Sequence, residues 1–340
     1  MTTFRPWIAL VCLLGLGCQS QKPLPPANSQ TSAAAGQPVD VVLALNWYPE
    51  AEHGGFYAAL VHGYFQEEGL NVTIRPGGPN VPVIADTASG KVDFAVDNAD
   101  KLILLRAQQA DVVSVMSPMQ DSPRCIMVHQ KSGLKRLEDL TAKKEFTLAM
   151  NPGQPFAQYL KKKINLDHVR VVPYQPDLAK FMEEENFGQQ AYSFSEPYVA
   201  EQQKGDPLCL MLSEIGFNAY TSILLTRREL LDKNPELVAK MTRASIRGWK
   251  KYLAEPVETN KHIHEQNPGM GPEILAYGAK ALQSACLPTG FDESRLGEMS
   301  AERWQTLITQ MVEIDAIKPD SVKSEDVYTL KFVQAAADAK

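Results

Sequence analysis

The segment Asn46-Trp47-Tyr48-Pro49-Glu50-Ala51-Glu52-His53-Gly54-Gly55-Phe56-Tyr57 gathers groups able to hold a small molecule. Trp47 and Tyr48 offer flat faces for stacking and polar tips for hydrogen bonds. Gly54-Gly55 stands at the expected start of a helix, where missing side chains let a ligand approach backbone N–H groups. The same two aromatics suit a packed core equally well. Asp97 and Asn98 follow a strand-like run, and either caps the next helix or turns toward a ligand. Glu196 before Pro197 reads two ways, as a carboxylate accepting from an amino group or as a first-turn acid favoured by the helix dipole. His53 at a helix start has its charged form disfavoured by that dipole, so capping or packing explains it as well as contact does. His262 and His264 face different sides of any helix, and no spacing in the chain matches a metal site. No nucleophile elbow or phosphate-cradling loop is found either. The chemistry on offer is capture, with no catalytic residue, cofactor or metal.

The elements that must position these groups follow from pattern. Residues 41–45 form a short apolar run and read as a buried strand. A helix over 53–68, interrupted at Gly63 and closed by Gly69, leads to an alternating strand at 70–74. A helix at 81–89, a strand at 92–96, a helix at 99–109 and a strand at 112–116 complete a β-α-β-α-β-α-β order. That order argues for a mainly parallel sheet covered by helices. A second set has strands at 146–150, 169–172, 191–194, 209–212 and 223–226, with helices at 155–163, 178–185 and 197–203. From Arg228 onward the pattern is nearly all helical, with breaks at Pro235, Pro256, Pro268 and Pro288. Asn234-Pro235 is an N-cap followed by proline at the first helical position. Two α/β units of this kind place a ligand in the crevice at the carboxyl ends of their parallel strands.

The 340 residues carry a net charge of −6, with 44% hydrophobic and 22% charged residues. That balance disfavours nucleic acid, which needs clustered Lys and Arg. Lys161-Lys162-Lys163 suits the last turn of a helix. Arg5, an apolar run over 7–16 and Gly17-Cys18 form a signal-peptide pattern, too short to span a bilayer. Cys18 sits where bacterial lipoprotein signals place the lipidated cysteine. Gly15 stands where that pattern usually has Leu, which leaves simple cleavage open. Residues 19–38, rich in Pro, Ser, Ala and Gln, read as a flexible tether. Of the five cysteines, Cys12 would leave with the signal and Cys18 would carry lipid. Cys125, Cys209 and Cys286 remain, an odd number that leaves at least one free thiol.

Three stretches give a specific resemblance: Leu43-Ala44-Leu45-Asn46-Trp47-Tyr48-Pro49, then Glu52-His53-Gly54-Gly55-Phe56-Tyr57-Ala58-Ala59, then Gly63-Tyr64-Phe65-Gln66-Glu67-Glu68-Gly69-Leu70-Asn71-Val72. Together they resemble the opening of the periplasmic binding proteins for thiamine pyrimidine precursors, relatives of nitrate, sulfonate and riboflavin binders. Gly90-Lys91-Val92-Asp93-Phe94-Ala95, Leu137-Glu138-Asp139-Leu140 and Ser195-Glu196-Pro197-Tyr198 resemble later segments of that family. Gln189-Gln190-Ala191 departs from the Val-Asp-Ala that the family often has.

The resemblance implies a two-lobed α/β periplasmic binding fold with a two-strand hinge, crossing near 121–129 and 217–226. The chain would divide into signal 1–17, anchor and tether 18–38, a first lobe from 39–122 and 225–335, and a second lobe from 123–224. Asn46, Trp47, Tyr48, His53, Asp97, Asn98 and Ser117 would face the ligand from the first lobe. Asn151, Gly153 and Glu196 would face it from the second, Glu196 as the main anchor, with Tyr220 closing the site from the hinge. The implied role is a monomeric, lipid-anchored solute-binding protein on the outer face of a bacterial membrane or in the periplasm. It would pass a small heteroaromatic ligand, a pyrimidine precursor, to an ABC transporter permease.

Three alternatives remain at this point. A larger flavin is one. A fungal group on this fold makes the pyrimidine itself, with a reactive His after the second conserved strand, but residues 92–106 contain no His. A sensory or scaffold role using the same pocket is the third. No Arg or Lys stands in the candidate loops, which argues against nitrate or sulfonate and for walls of π-faces and neutral polar groups.

Overall fold

Two five-stranded sheets organise residues 37–338, which are the residues described in the computed structural model. The expected signal 1–17, Cys18 and the tether up to residue 36 lie outside them. The strands are β1 (Val39–Ala44), β2 (Leu70–Arg75), β3 (Phe94–Asp97), β4 (Val112–Met116), β5 (Arg124–His129), β6 (Phe146–Ala149), β7 (Val169–Val172), β8 (Phe187–Tyr192), β9 (Pro207–Met211) and β10 (Ile223–Arg227). The first sheet has the order β2-β1-β3-β10-β4 and the second β7-β6-β8-β5-β9. β10 runs antiparallel to β3 and β4, and β5 runs antiparallel to β8 and β9. Each sheet is otherwise parallel, as continuous apolar strands covered by helices require.

The order of the first sheet shows the connectivity. The chain leaves it after β4, builds the whole second sheet, and returns as β10 between β3 and β4. The two crossings run through residues 117–123 and 212–222.

Where sequence and structure differ, packing decides. The strand expected at 191–194 is Phe187–Tyr192, an inner strand between β6 and β5 that contains Gly188, Gln189 and Gln190. Those residues have little preference for strands, so tertiary context places them there. β5 has no strand in the sequence reading. Its apolar side chains are buried in the second sheet. The Pro155–Lys163 helix appears with its expected bounds, its lysines in the last turn. Asn234 caps the Pro235–Ala254 helix by accepting from the Leu237 N–H.

Gly54 and Gly55 serve helix packing rather than ligand approach. A Cβ on Gly54 would lie 2.1 Å from the Tyr252 ring, and one on Gly55 2.1 Å from the Trp249 ring. The Gly54–Val61 helix therefore presses directly on the Pro235–Ala254 helix, burying Trp249 and Tyr252 completely. Cys125 and Cys209 on neighbouring strands are free thiols with their sulfurs 2.7 Å apart. Cys286 is a buried free thiol, its pKa pushed up by burial.

Candidate functional site

The loops that follow the parallel strands converge on one cavity of about 740 Å³. After β1 come Asn46, Trp47, Glu50 and Glu52, and after β2 come Gly78 to Val81. Asn98 and Lys101 follow β3. From the second sheet, Asn151 and Gln154 follow β6, Tyr174 follows β7, and Ser195 and Glu196 follow β8. Gln190 and Tyr192 on the end of β8 complete that wall. β5 is antiparallel, so its first residue, Arg124, stands at the same edge where the parallel strands end. This is the crevice that open α/β sheets offer to ligands.

Local contacts hold each wall. Gly77 N–H donates to Trp47 O at 2.9 Å, and a Cβ on Gly77 would lie 1.9 Å from Leu45 O. Only glycine lets the loop after β2 lie this close beside Trp47. Trp47 meets Tyr48 edge to face, with ring centroids 5.4 Å apart. On the opposite wall Asn151 N–H donates to Gln190 Oε1 at 2.7 Å. Thus Gln190 fixes a cavity loop.

Glu196 begins the Glu196–Gln202 helix, so the first-turn reading of it holds. It is a first-turn acid and it lines the cavity. Its Oε2 accepts from the Tyr192 backbone N–H at 2.9 Å, and its Oε1 accepts from the Tyr174 hydroxyl at 3.4 Å. Burial raises its pKa. Burial also drives Glu50 well above the usual carboxylate range, with repulsion from Glu52 and Glu196 adding to it. A carboxyl kept protonated can donate as well as accept. For Glu52 burial pushes upward too, but His53, Asn46 and Lys101 together hold it below its ordinary value. The cavity thus contrasts carboxyls that favour their proton with one that favours its charge.

Cationic groups share these walls. Lys101 Nζ sits 3.1 Å from Asp97 Oδ1, and that carboxylate raises the lysine pKa. Arg124 Nη2 donates to the Tyr192 hydroxyl at 2.6 Å. The same hydroxyl accepts from Asn98 Nδ2 at 3.1 Å, which joins the two lobes.

A model of the family described as NMT1/THI5 like matches residues 50–259, more than half of the chain. The chain belongs to that family. Among curated relatives, the riboflavin-binding protein RibY of Chloroflexus aurantiacus is 28% identical over 261 residues, 73% of this chain and 74% of that protein. The formylaminopyrimidine-binding protein of Halalkalibacterium halodurans is 24% identical, over 89% of this chain and 94% of that protein. A 4-amino-5-hydroxymethyl-2-methylpyrimidine phosphate synthase of Aspergillus parasiticus is 25% identical, over 69% of this chain and 72% of the enzyme. Among solved structures, the periplasmic aliphatic sulphonate binding protein SsuA of Escherichia coli superposes with a TM-score of 0.65. It covers 85% of this chain and 91% of that one at 15% identity. The fold is the periplasmic binding protein fold, and the resemblance read from the opening segments is to this family's binders.

Of the residues singled out in the sequence, Asn46, Trp47, Asn98, Asn151 and Glu196 line the cavity. Tyr48 does not. It is 49% exposed, and its ring packs beside Gly78. His53 is fully buried behind the wall, with Nε2 2.9 Å from Asn46 Oδ1 and 3.1 Å from Glu52 Oε1. It supports two lining residues without reaching the cavity, and its side chain does not cap the helix. Asp97 is buried against Lys101, and neither its side chain nor that of Asn98 caps the Ala99–Ala107 helix. Ser117 is buried in the first crossing, its Oγ donating to Met119 O. Gly153 lies off the lining, its N–H donating to Asn151 Oδ1 at 3.2 Å. Tyr220 is buried under Arg303 and Trp304, and its hydroxyl accepts from Ser300 N–H at 2.8 Å.

The expectation of neutral walls without Arg or Lys is also corrected, because Arg124 and Lys101 both line the cavity. Arg124, Lys101, Glu50, Glu52, Tyr174 and Tyr192 escaped the sequence reading as site residues. Position at the cavity edge of a strand was the available signal for Tyr192 and Arg124, but it required β5 and the correct end of β8.

Proposed function

We propose that this chain is the extracytoplasmic solute-binding component of an ABC importer, anchored through Cys18, acting as a monomer and taking an aminopyrimidine between its two lobes. The observation that carries this reading is Trp47 on one wall of a cavity that also holds the buried carboxyl of Glu50 and the half-buried carboxyl of Glu196. A flat ring stacks on the indole. A carboxyl that keeps its proton donates O–H to a ring nitrogen while its carbonyl accepts from the adjacent exocyclic amine. Among the ligands named for its relatives, formylaminopyrimidine fits this donor and acceptor pattern best. Capture followed by release to a permease accounts for a cleft between lobes joined by two crossings of the chain. Asn46, Trp47, Asn98, Asn151 and Glu196 are then ligand contacts, and His53 positions Asn46 and Glu52.

A second reading, capture of a flavin, is favoured by the cavity volume of about 740 Å³, which leaves space beyond a single ring. Thermal-shift and calorimetric titration with formylaminopyrimidine, thiamine, riboflavin, taurine and nitrate separates the two. Saturable binding of the aminopyrimidine supports the first, raising stability by about 2.7 kcal/mol at a hundredfold excess over Kd. Silence with every ring compound rejects both. Pyridoxal phosphate absorbance in the purified protein would instead revive the synthase reading.

A further inference from the structure

We propose that Arg124, positioned by Tyr192, is a specificity-determining residue that grips an acceptor oxygen, carbonyl or oxyanion, of the ligand. The inference rests on the aminopyrimidine reading for the ligand's ring and deepens it.

Arg124 lines the cavity, yet among the described residues its guanidinium makes one hydrogen bond, from Nη2 to the Tyr192 hydroxyl at 2.6 Å. Among the described residues no carboxylate stands within ion-pair distance of it. Lys101, the other cation of the cavity, is matched by Asp97. Arg303, another arginine without a carboxylate partner, uses its donors on Asn218 and Gln120 oxygens. A guanidinium has five N–H donors in a rigid fork. Among the described residues the remaining N–H donors of the Arg124 guanidinium have no hydrogen-bond partner.

The fork is also held in place. Its central carbon lies 4.5 Å from the Phe156 ring centroid and 4.9 Å from that of Tyr192. Such stacking fixes its plane before any ligand arrives. The Tyr192 hydroxyl accepts from both Arg124 and Asn98, so both lone pairs are committed and its O–H is left to donate. Two kinds of donor therefore converge on one spot, and the matching ligand group is an acceptor oxygen. Glu50, Glu52 and Glu196 line the same cavity, so it can hold a ligand that carries both an amine and an acceptor oxygen.

The test uses the full chain, wild type and the variants Arg124→Gln, Arg124→Lys and Tyr192→Phe, each checked for folding by its unliganded melting curve. The ligands are an aminopyrimidine with a formamide arm, the same ring with a carboxylate arm, the same ring with a free aminomethyl arm, riboflavin and ethanesulfonate. Wild type is expected to bind an oxygen-bearing arm at least tenfold tighter than the aminomethyl arm. Arg124→Gln should reduce that ratio at least tenfold, Tyr192→Phe should reduce it less, and Arg124→Lys should restore part of it. Comparing the formamide and carboxylate arms tells a carbonyl from an oxyanion.

An unchanged ratio in Arg124→Gln overturns the inference and leaves the aminopyrimidine reading standing. If only riboflavin or ethanesulfonate binds, and loses at least tenfold in Arg124→Gln, the aminopyrimidine reading fails while the role of Arg124 survives. Absence of binding by every compound overturns both.

Discussion

Asn98 Nδ2 donates to the Tyr192 hydroxyl at 3.1 Å, one residue just past the end of β3 and the other at the end of β8, so a single hydrogen bond spans the two lobes at the cavity wall. Asn98 Oδ1 also accepts from the Ser222 N–H at 3.3 Å, in the second crossing. One side chain thus touches the opposite lobe and the hinge. Replacing Asn98 with Ala removes both contacts, each worth about 0.5–1.5 kcal/mol net. The expected outcome is a larger mean separation of the lobes in unliganded protein, read by energy transfer between dyes on opposite lobes. Unaltered transfer would show that this bond does not bias closure.

Trp47 supplies the flat wall. Trp47→Ala should weaken capture of a ring ligand about tenfold or more, through lost stacking of about 0.5–1.5 kcal/mol plus lost apolar burial. The melting temperature should move little, because Trp47 is only partly buried in the unliganded protein. Calorimetric titration of the variant decides this, and wild-type affinity would remove the indole from the site.

The buried acids predict a pH dependence of stability. Glu50 and Glu196 have raised pKa values in the folded protein, so above their ordinary 4.5 the folded chain binds more protons than the unfolded chain. Stability must then fall as pH rises from about 5 toward neutrality. Glu52, lowered from the same value, loses its own contribution only on acidification below that window. A tenfold difference in proton affinity between the folded and unfolded chain is worth about 1.4 kcal/mol. Melting curves of unliganded protein between pH 5 and 7.5 should show this slope, and Glu50→Gln should flatten it. An equal slope in the variant would sink the assignment.

Gly55 tests the packing account of the glycine pair. Gly55→Ala forces a methyl group into the Trp249 ring, where the gap is 2.1 Å. Overpacking of this kind costs about 1–3 kcal/mol. Urea denaturation should show that loss. If stability holds and only ligand affinity falls, the glycines serve the ligand after all.

Tyr220 makes the complementary case. Its hydroxyl is occupied by Ser300 N–H, and its ring lies under Arg303. Tyr220→Phe should lower stability by about 0.5–1.5 kcal/mol and leave the ligand Kd in place. A large change in Kd would return Tyr220 to the site.

The α/β class, most strands and helices, the helical C-terminal region and the family are legible along the chain. Apolar periodicity, caps and the opening segment are local signals, and each can be read along the chain. The sequence also pointed to Asn46, Trp47, Asn98, Asn151 and Glu196, which follow strands whose ends it located. The rest of the cavity depends on contacts between distant segments. Arg124 matters because β5 runs backwards among parallel strands and so brings its first residue to their carboxyl edge. Tyr192 matters because it meets Asn98 from 94 positions away. His53, Ser117 and Tyr220 left the cavity for the same reason, since burial and hydrogen-bond partners are set by contacts between distant segments. A one-dimensional pattern records which residue types are present, while charge pairing and access to a cleft exist only once the strand ends of two sheets line one cavity.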